Sequence, residues 1–251
     1  MLMEDEVVRQ IEMPCCVTKL QQSGFTLVEL AIVLVIVALL TGGLLLGVSA
    51  QRNAAENIDA QRQLENIREA LLGYAMANGR LPCPANPALT SADATVGTED
   101  RPNATSPCNR TYGVIPWVTL GLPETDPWGR RFTFFASSSF SGPVATGALA
   151  SFTLSTLGNA NIKDTAGSGA NIASDIPAVV ISHGGNGLGA WQPNGTQIIG
   201  AAGDELENAN IETAITQIFV SRTPGNNFDD LVTWVAPSIL MAKMVAAGRL
   251  P

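Results

Sequence analysis

The chain has 251 residues, 46% of them hydrophobic, 14% charged and 6% aromatic, a length that accommodates one large domain or two small ones. Its 24 Gly and 15 Pro are too few for a low-complexity polymer but enough for many turns. The 14 Lys and Arg against 22 Asp and Glu leave a formal net charge of −8 with no basic cluster, which argues against a nucleic-acid groove, and a single histidine, His183, removes most metalloenzyme and triad chemistries.

In chain order, residues 1–24 are polar and carry Glu4, Asp5, Glu6 and Glu12 against Arg9 and Lys19. Between Glu29 and Arg52 lie 22 consecutive uncharged residues, mostly Leu, Ile, Val and Ala. At about 1.5 Å per residue this run makes a helix of roughly 33 Å, the thickness of a bilayer core. Glu29 sits inside its start, and an isolated Glu in hydrocarbon costs about 2.5 kcal/mol or more, so it needs a partner or a function. Two processing readings compete. A secretory signal would be removed after Val48-Ser49-Ala50, but its apolar core runs only roughly 7–15 residues. The other reading cleaves after Gly24 and keeps the helix, with Phe25 as its new N-terminus.

The segment Gly24-Phe25-Thr26-Leu27-Val28-Glu29-Leu30 resembles the prepilin peptidase site of type IV pilins and type II secretion pseudopilins. The resemblance implies that 1–24 is a leader cut after Gly24, that the amine of Phe25 is N-methylated, and that Glu29 neutralises the N-terminal amine of a neighbouring subunit. A buried carboxylate meeting a buried ammonium only in the assembled fibre would couple registry to charge pairing. Family leaders are short and basic. A start at Met13 would leave Lys19 as the leader's one charged side chain, as the positive-inside rule prefers. The implied partners are copies of this chain, other pilin-like subunits, the prepilin peptidase, an inner-membrane assembly platform and the lipid bilayer. The implied location is the bacterial inner membrane, single-pass with the head in the periplasm, and then a filament in the periplasm or at the cell surface.

Beyond the apolar run, Ile58, Leu64, Ile67, Leu71 and Tyr74 share one helical stripe while Arg52, Glu56, Arg62, Glu65 and Glu69 lie elsewhere, which predicts an amphipathic continuation over 52–79. Asn78-Gly79, followed by Pro82 and Pro84, supplies the stop. Gly42, Gly43 and Gly47 form either a flexible, locally unwound point or a face for close helix packing. Residues 80–127 are rich in Pro and Asn and contain Cys83 and Cys108. With Cys15 and Cys16 lost in the leader, these two would face the oxidising side of the membrane and form a disulfide, two unpaired buried thiols being the alternative.

Short β-rich runs at 131–136, 151–155, 178–182, 196–199 and 218–221 alternate with Gly, Ser and Asn turns and predict an antiparallel sheet. Asp126-Pro127-Trp128-Gly129 resembles the tetrapeptide that opens the sheet of major pseudopilins. The run Ser182-His183-Gly184-Gly185-Asn186-Gly187-Leu188-Gly189 resembles their loop beside a calcium site, with Asn186 where that family has an acid. Asp204, Glu205, Glu207, Asn208 and Asn210 crowd oxygen atoms into seven residues. Asp204, Glu205, Glu207 and Asn186 are thus a candidate calcium set, since that ion takes roughly six to eight oxygens, an acidic solvated turn being the alternative. His183 is expected to make local hydrogen bonds in its loop. Asp229-Asp230 reads as a cap or turn before 231–234, and 237–247 as a short helix closed by Gly248.

The expected architecture is α+β and type IV pilin-like: one long N-terminal helix, with a transmembrane and polymerisation half at 25–51 and an amphipathic half at 52–79, packed on a small antiparallel sheet in a head of 80–251 that ends in a short helix. No cofactor other than calcium and no enzymatic activity is expected. The expected function is that of a filament subunit of a type II secretion pseudopilus or a type IV pilus. The rival is an exported binding module or enzyme that is merely tethered by its N-terminus and does not polymerise.

Overall fold

The computed structural model describes residues 24–209, 217–225 and 227–251, with the side chains of 43–50 outside the description. The chain divides into two units, Met1–Ser49 and Ala50–Pro251. Helix α1, Leu27–Asn78, begins two residues later than the expected start at Phe25. Its backbone is helical through Gly42, Gly43 and Gly47, so no unwound point interrupts it there.

In the N-terminal unit the large apolar side chains of residues 25–40 are exposed. Among the described residues no helix is long and apolar enough to cross a membrane. The second part of the apolar run, 43–50, lies outside the described side chains, and residues 30–42 alone fall short of the about 20 that a span requires. Of the expected leader 1–24, residues 1–23, with Cys15 and Cys16, also lie outside the described residues.

In the second unit the buried stripe of α1 is Ala60, Leu64, Ile67, Leu71 and Ala75, at intervals of three and four. Each of its larger members contributes about 1.5–3 kcal/mol by leaving water. Ile58, expected on this stripe, is instead 49% exposed, and Tyr74 lies half-buried at its edge with its hydroxyl donating to Glu99 at 2.9 Å. The helix ends at Gly79, whose φ of +72° is left-handed and whose missing Cβ would lie 2.2 Å from the Leu149 carbonyl oxygen. Only glycine meets both demands.

The first sheet contains β1 (Tyr112–Val114), β2 (Thr133–Ala136), β5 (Ala178–Ser182) and β7 (Leu231–Val235) in the order β1-β2-β5-β7, every pair antiparallel. One face, carrying Phe134, Ala136, Ala178, Val180, Leu231 and Val235, joins the α1 stripe and Leu240 and Met244 of the terminal helix α5 (Pro237–Ala246) in the main core. The other face, carrying Phe135, Val179 and Ile181, packs on a second sheet through Ile162 and Phe219. Burial on both faces explains why β5 is an unbroken apolar run rather than an alternating one.

That second sheet was not expected. It has the order β4-β3-β6, with β3 (Ala160–Lys163) antiparallel to β4 (Asn171–Ile176) and parallel to β6 (Gln217–Val220). The single antiparallel sheet is therefore corrected to two sheets, one with a parallel pair. The runs at 131–136, 178–182 and 218–221 become β2, β5 and β6 within a residue or two. Those at 151–155 and 196–199 are not strands. Phe152 packs its ring 4.7 Å from Phe140 out of a turn, and the second run pairs back on 189–192 through one isolated bridge, Gln197 to Trp191, and an Ile198 amide that donates to the Ala190 carbonyl at 2.9 Å, leaving Ile199 86% exposed.

Short helices α2 (Trp117–Leu120), α3 (Ser138–Ser141) and α4 (Asp204–Ala209) complete the unit. The terminal helix has Pro237 at its start and Gly248 at φ +67° just beyond its end, as expected.

Candidate functional site

At the N-terminus, Gly24, Phe25 and Thr26 are non-helical, and Phe25 is 85% exposed. A Cβ built on Gly24 would meet nothing within 4 Å, so the fold itself does not demand glycine there. Thr26 and Glu29 form a reciprocal pair at the start of α1. The Glu29 amide donates to Thr26 Oγ1 at 3.2 Å, while the Thr26 amide and hydroxyl both donate to Glu29 Oε2 at 3.0 Å. The first helical bond runs from the Leu30 amide to the Thr26 carbonyl at 3.2 Å. This is a capping box with Thr26 at the N-cap and Glu29 three residues on, and the Thr-x-x-Glu spacing that announces it is legible in the sequence. Glu29 is thus held within its own chain by Thr26.

In the second unit the tetrapeptide at 126–129 and the loop at 182–189 are bonded to each other. Asp126 accepts the Trp128 and Arg130 amides through Oδ1 and the Ser182 hydroxyl through Oδ2 at 2.7 Å. Burial pushes its carboxyl up, against those hydrogen bonds. The Arg130 guanidinium donates to the carbonyls of Gly184 and, at 3.0 Å, Gly185. His183 makes a local bond in its loop, its carbonyl accepting the Gly187 amide at 2.9 Å, but its side chain is buried and bonds outside the loop. Its Nε2 lies 2.9 Å from Thr133 Oγ1, and its Nδ1 lies 3.3 Å from Asp230 Oδ1 without hydrogen-bond alignment.

The candidate calcium set divides. Glu205 and Asn186 meet, the Asn186 side-chain amide donating to Glu205 Oε1 at 2.8 Å. Asp204 turns instead to the Ala166 amide, Thr165 and Arg222, which hold its carboxyl below the usual range despite some burial, and Glu207 has no polar partner among the described residues. Asn210 lies outside the described residues. The partners of Glu205 are Asp229 and Asp230, which the sequence suggested only as a cap or turn: the three carboxylates approach within 4.8 Å of one another. The Asp229 amide donates to Glu205 Oε1 at 3.3 Å, and Asp229 Oδ2 accepts the Asn186 amide at 2.8 Å. Burial, together with the charges of Asp230 and Asp229, raises the Glu205 carboxyl. Asp229 Oδ1 and Asp230 Oδ1 are buried without a hydrogen-bond partner. Two orphaned oxygens beside a third carboxylate suit a hard cation, and an open hollow of about 560 Å³ lined by Asn186, Asp204, Glu205 and Arg222 reaches Glu205.

Cys83 and Cys108 are joined, with Cα atoms 5.4 Å apart. The Arg101 guanidinium lies against the bridge, Nε 3.0 Å from Cys83 Sγ, and donates to the Ser141 carbonyl at 2.6 Å.

No curated protein and no solved structure matches the chain. A family model, the prokaryotic N-terminal methylation motif, matches residues 19–45 and so includes Gly24, Phe25, Thr26 and Glu29. At its N-terminus the chain therefore carries the hallmark of type IV pilins and pseudopilins.

Proposed function

We propose that this chain is a pilin-like filament subunit, anchored in the bacterial inner membrane by the apolar run after Glu29, cleaved after Gly24 by a prepilin peptidase and N-methylated at Phe25. An inner-membrane platform then draws it, with copies of itself and related subunits, into the helical fibre of a type II secretion pseudopilus or a type IV pilus. The observation that carries this reading is the coincidence of the methylation motif with an exposed, non-helical Gly24–Phe25 bond at the head of a helix with exposed apolar side chains. A glycine the fold does not require is accounted for by an enzyme that reads it.

The mechanism of assembly follows from charge and burial. Lipid covers the apolar side chains in the stored subunit, and neighbouring helices cover them in the fibre. Cleavage creates a Phe25 ammonium, and packing among apolar helices removes water from it. The Glu29 carboxylate of an adjacent subunit would then compensate it, leaving its own Thr26. A buried ammonium with no such partner costs about 3–5 kcal/mol at each contact.

The test is Glu29→Gln, because glutamine retains the capping box and removes only the charge. The variant is expected to be cleaved and inserted normally yet to be missing from sheared fibres when it is the sole copy. Normal fibres would refute charge pairing. The rival, a tethered module, predicts no fibre from the wild type either.

We further propose calcium as a structural ion of the second unit, held by Glu205 and Asp229 with Asp230 behind them, where it would offset their mutual repulsion. Asp204 and Glu207 would take no part.

A further inference from the structure

We propose that Thr26 is a positioning residue for the processing step: its capping box with Glu29 fixes the start of α1 at Leu27 and thereby keeps the Gly24–Phe25 bond in extended chain, where a peptidase can engage it. This rests on the cleavage reading above. Hydrolysis adds one water across the bond, leaving a carboxylate on Gly24 and an amine on Phe25, and the carbonyl must be open to attack from outside the chain. A bond wound into the first helical turn presents its backbone to the helix instead.

The sequence makes that alternative available. Ser23 stands three residues before Thr26, the same spacing that separates Thr26 from Glu29. A helix capped at residue 23 would enclose the scissile bond in its first turn. Two features oppose this. Three hydrogen bonds of 3.0–3.2 Å tie Thr26 to Glu29 and hold Thr26 in a non-helical cap. Gly24 disfavours helix through its backbone entropy. Gly24, where an added Cβ would meet nothing within 4 Å among the described residues, and Thr26, bonded to Glu29, act together to set the helix boundary downstream of the cut.

Three substitutions at Thr26 separate this from direct reading of the side chain by the enzyme. Thr26→Ser keeps the cap. Thr26→Ala removes it with a good helix former. Thr26→Gln completes a Ser-x-x-Gln box one turn upstream without adding charge. The full-length precursor, in detergent with purified prepilin peptidase, is assayed for initial cleavage rate and cut site by mass spectrometry. The Leu27 amide is followed by hydrogen exchange.

Thr26→Ser is expected within about twofold of wild type. Thr26→Ala is expected to fall measurably and by no more than about fivefold, the limit set by the roughly 1 kcal/mol a lost cap costs. Thr26→Gln falls further and slows Leu27 exchange, because that amide would now bond the carbonyl of residue 23. The loss appears in KM with kcat unchanged, since only the fraction of extended substrate changes. Wild-type rates for Thr26→Ala or Thr26→Gln would overturn the proposal, and so would a Thr26→Ser variant as slow as Thr26→Ala, which would mean that the enzyme reads the threonine methyl. Wild-type precursor left uncut after Gly24 would instead overturn the cleavage reading on which the proposal stands.

Discussion

Replacing both bridge cysteines, as Cys83→Ser with Cys108→Ser, tests how the passage leaving α1 is held. The bridge spans a sequence separation of 25 residues. Loop-closure entropy for about 25 residues gives roughly 3.5 kcal/mol of stabilisation through the unfolded chain. For a unit of some 200 residues, at about 2–4 °C per kcal/mol, the double variant should melt roughly 7–14 °C lower. The native side tempers this, because the same passage is also fastened without the bridge. Glu99 accepts the Cys83 amide at 2.7 Å and takes both arms of Arg80 at 2.6 and 3.0 Å, and the Asp100 carbonyl accepts the Asn109 amide. These contacts persist in the variant, so folding should survive while the melting temperature falls. The assay is a circular dichroism melt of the full-length protein in detergent, with the variant compared at matched pH and salt. An unchanged melting temperature would refute the entropic account and show that the Glu99 contacts alone close the loop.

Calcium at about 5 mM should raise the melting temperature by the few degrees that about 1–2 kcal/mol of binding linkage supplies, for a site in the affinity range of extracellular modules. Magnesium should do far less, and Glu205→Gln should abolish the rise; an equal shift in that variant would remove Glu205 from the site. A pH titration addresses Glu99. Burial pushes its carboxyl up, but the Arg80 guanidinium and the Cys83 amide outweigh burial and hold it below the usual value. Its contribution is therefore fully present above the ordinary carboxylate value and lost as pH falls through the depressed one. Melting curves between pH 6 and 3 should show that loss in the wild type and a shallower fall in Glu99→Gln; equal slopes would contradict it. The neighbouring Tyr74 phenol, raised to about 12 by burial and the charge of Glu99, stays neutral throughout.

Much of this was legible in the residues themselves. Leu64, Ile67 and Leu71 at helical spacing, Gly79 beyond the helix, the apolar run of β5 and Pro237 with Gly248 around α5 each declare their element through local chemistry. What was not legible depends on distant partners. Strand β4 carries Asn171, Ser174 and Asp175 and reads as a turn; pairing with β3 makes it a strand, with Asp175, at φ 58°, at a register irregularity between paired residues. Residues 196–199 look like a strand but find no sheet to enter. Glu205 was identified among its sequence neighbours, yet Asp204 and Glu207 turn away and Asp229, 24 residues on, completes the cluster. No spacing rule links residues so far apart. The capping box of Thr26 and Glu29 is the opposite case, a local signal open to reading from the start.

Where the mature chain begins decides whether this protein is a processed filament subunit. Intact-mass and peptide mass spectrometry of the protein isolated from its native host should find a terminal peptide starting at N-methylated Phe25, with α1 retained. A mature terminus at Gln51, or a chain that keeps the residues before Phe25, would contradict the reading of this protein as a processed filament subunit.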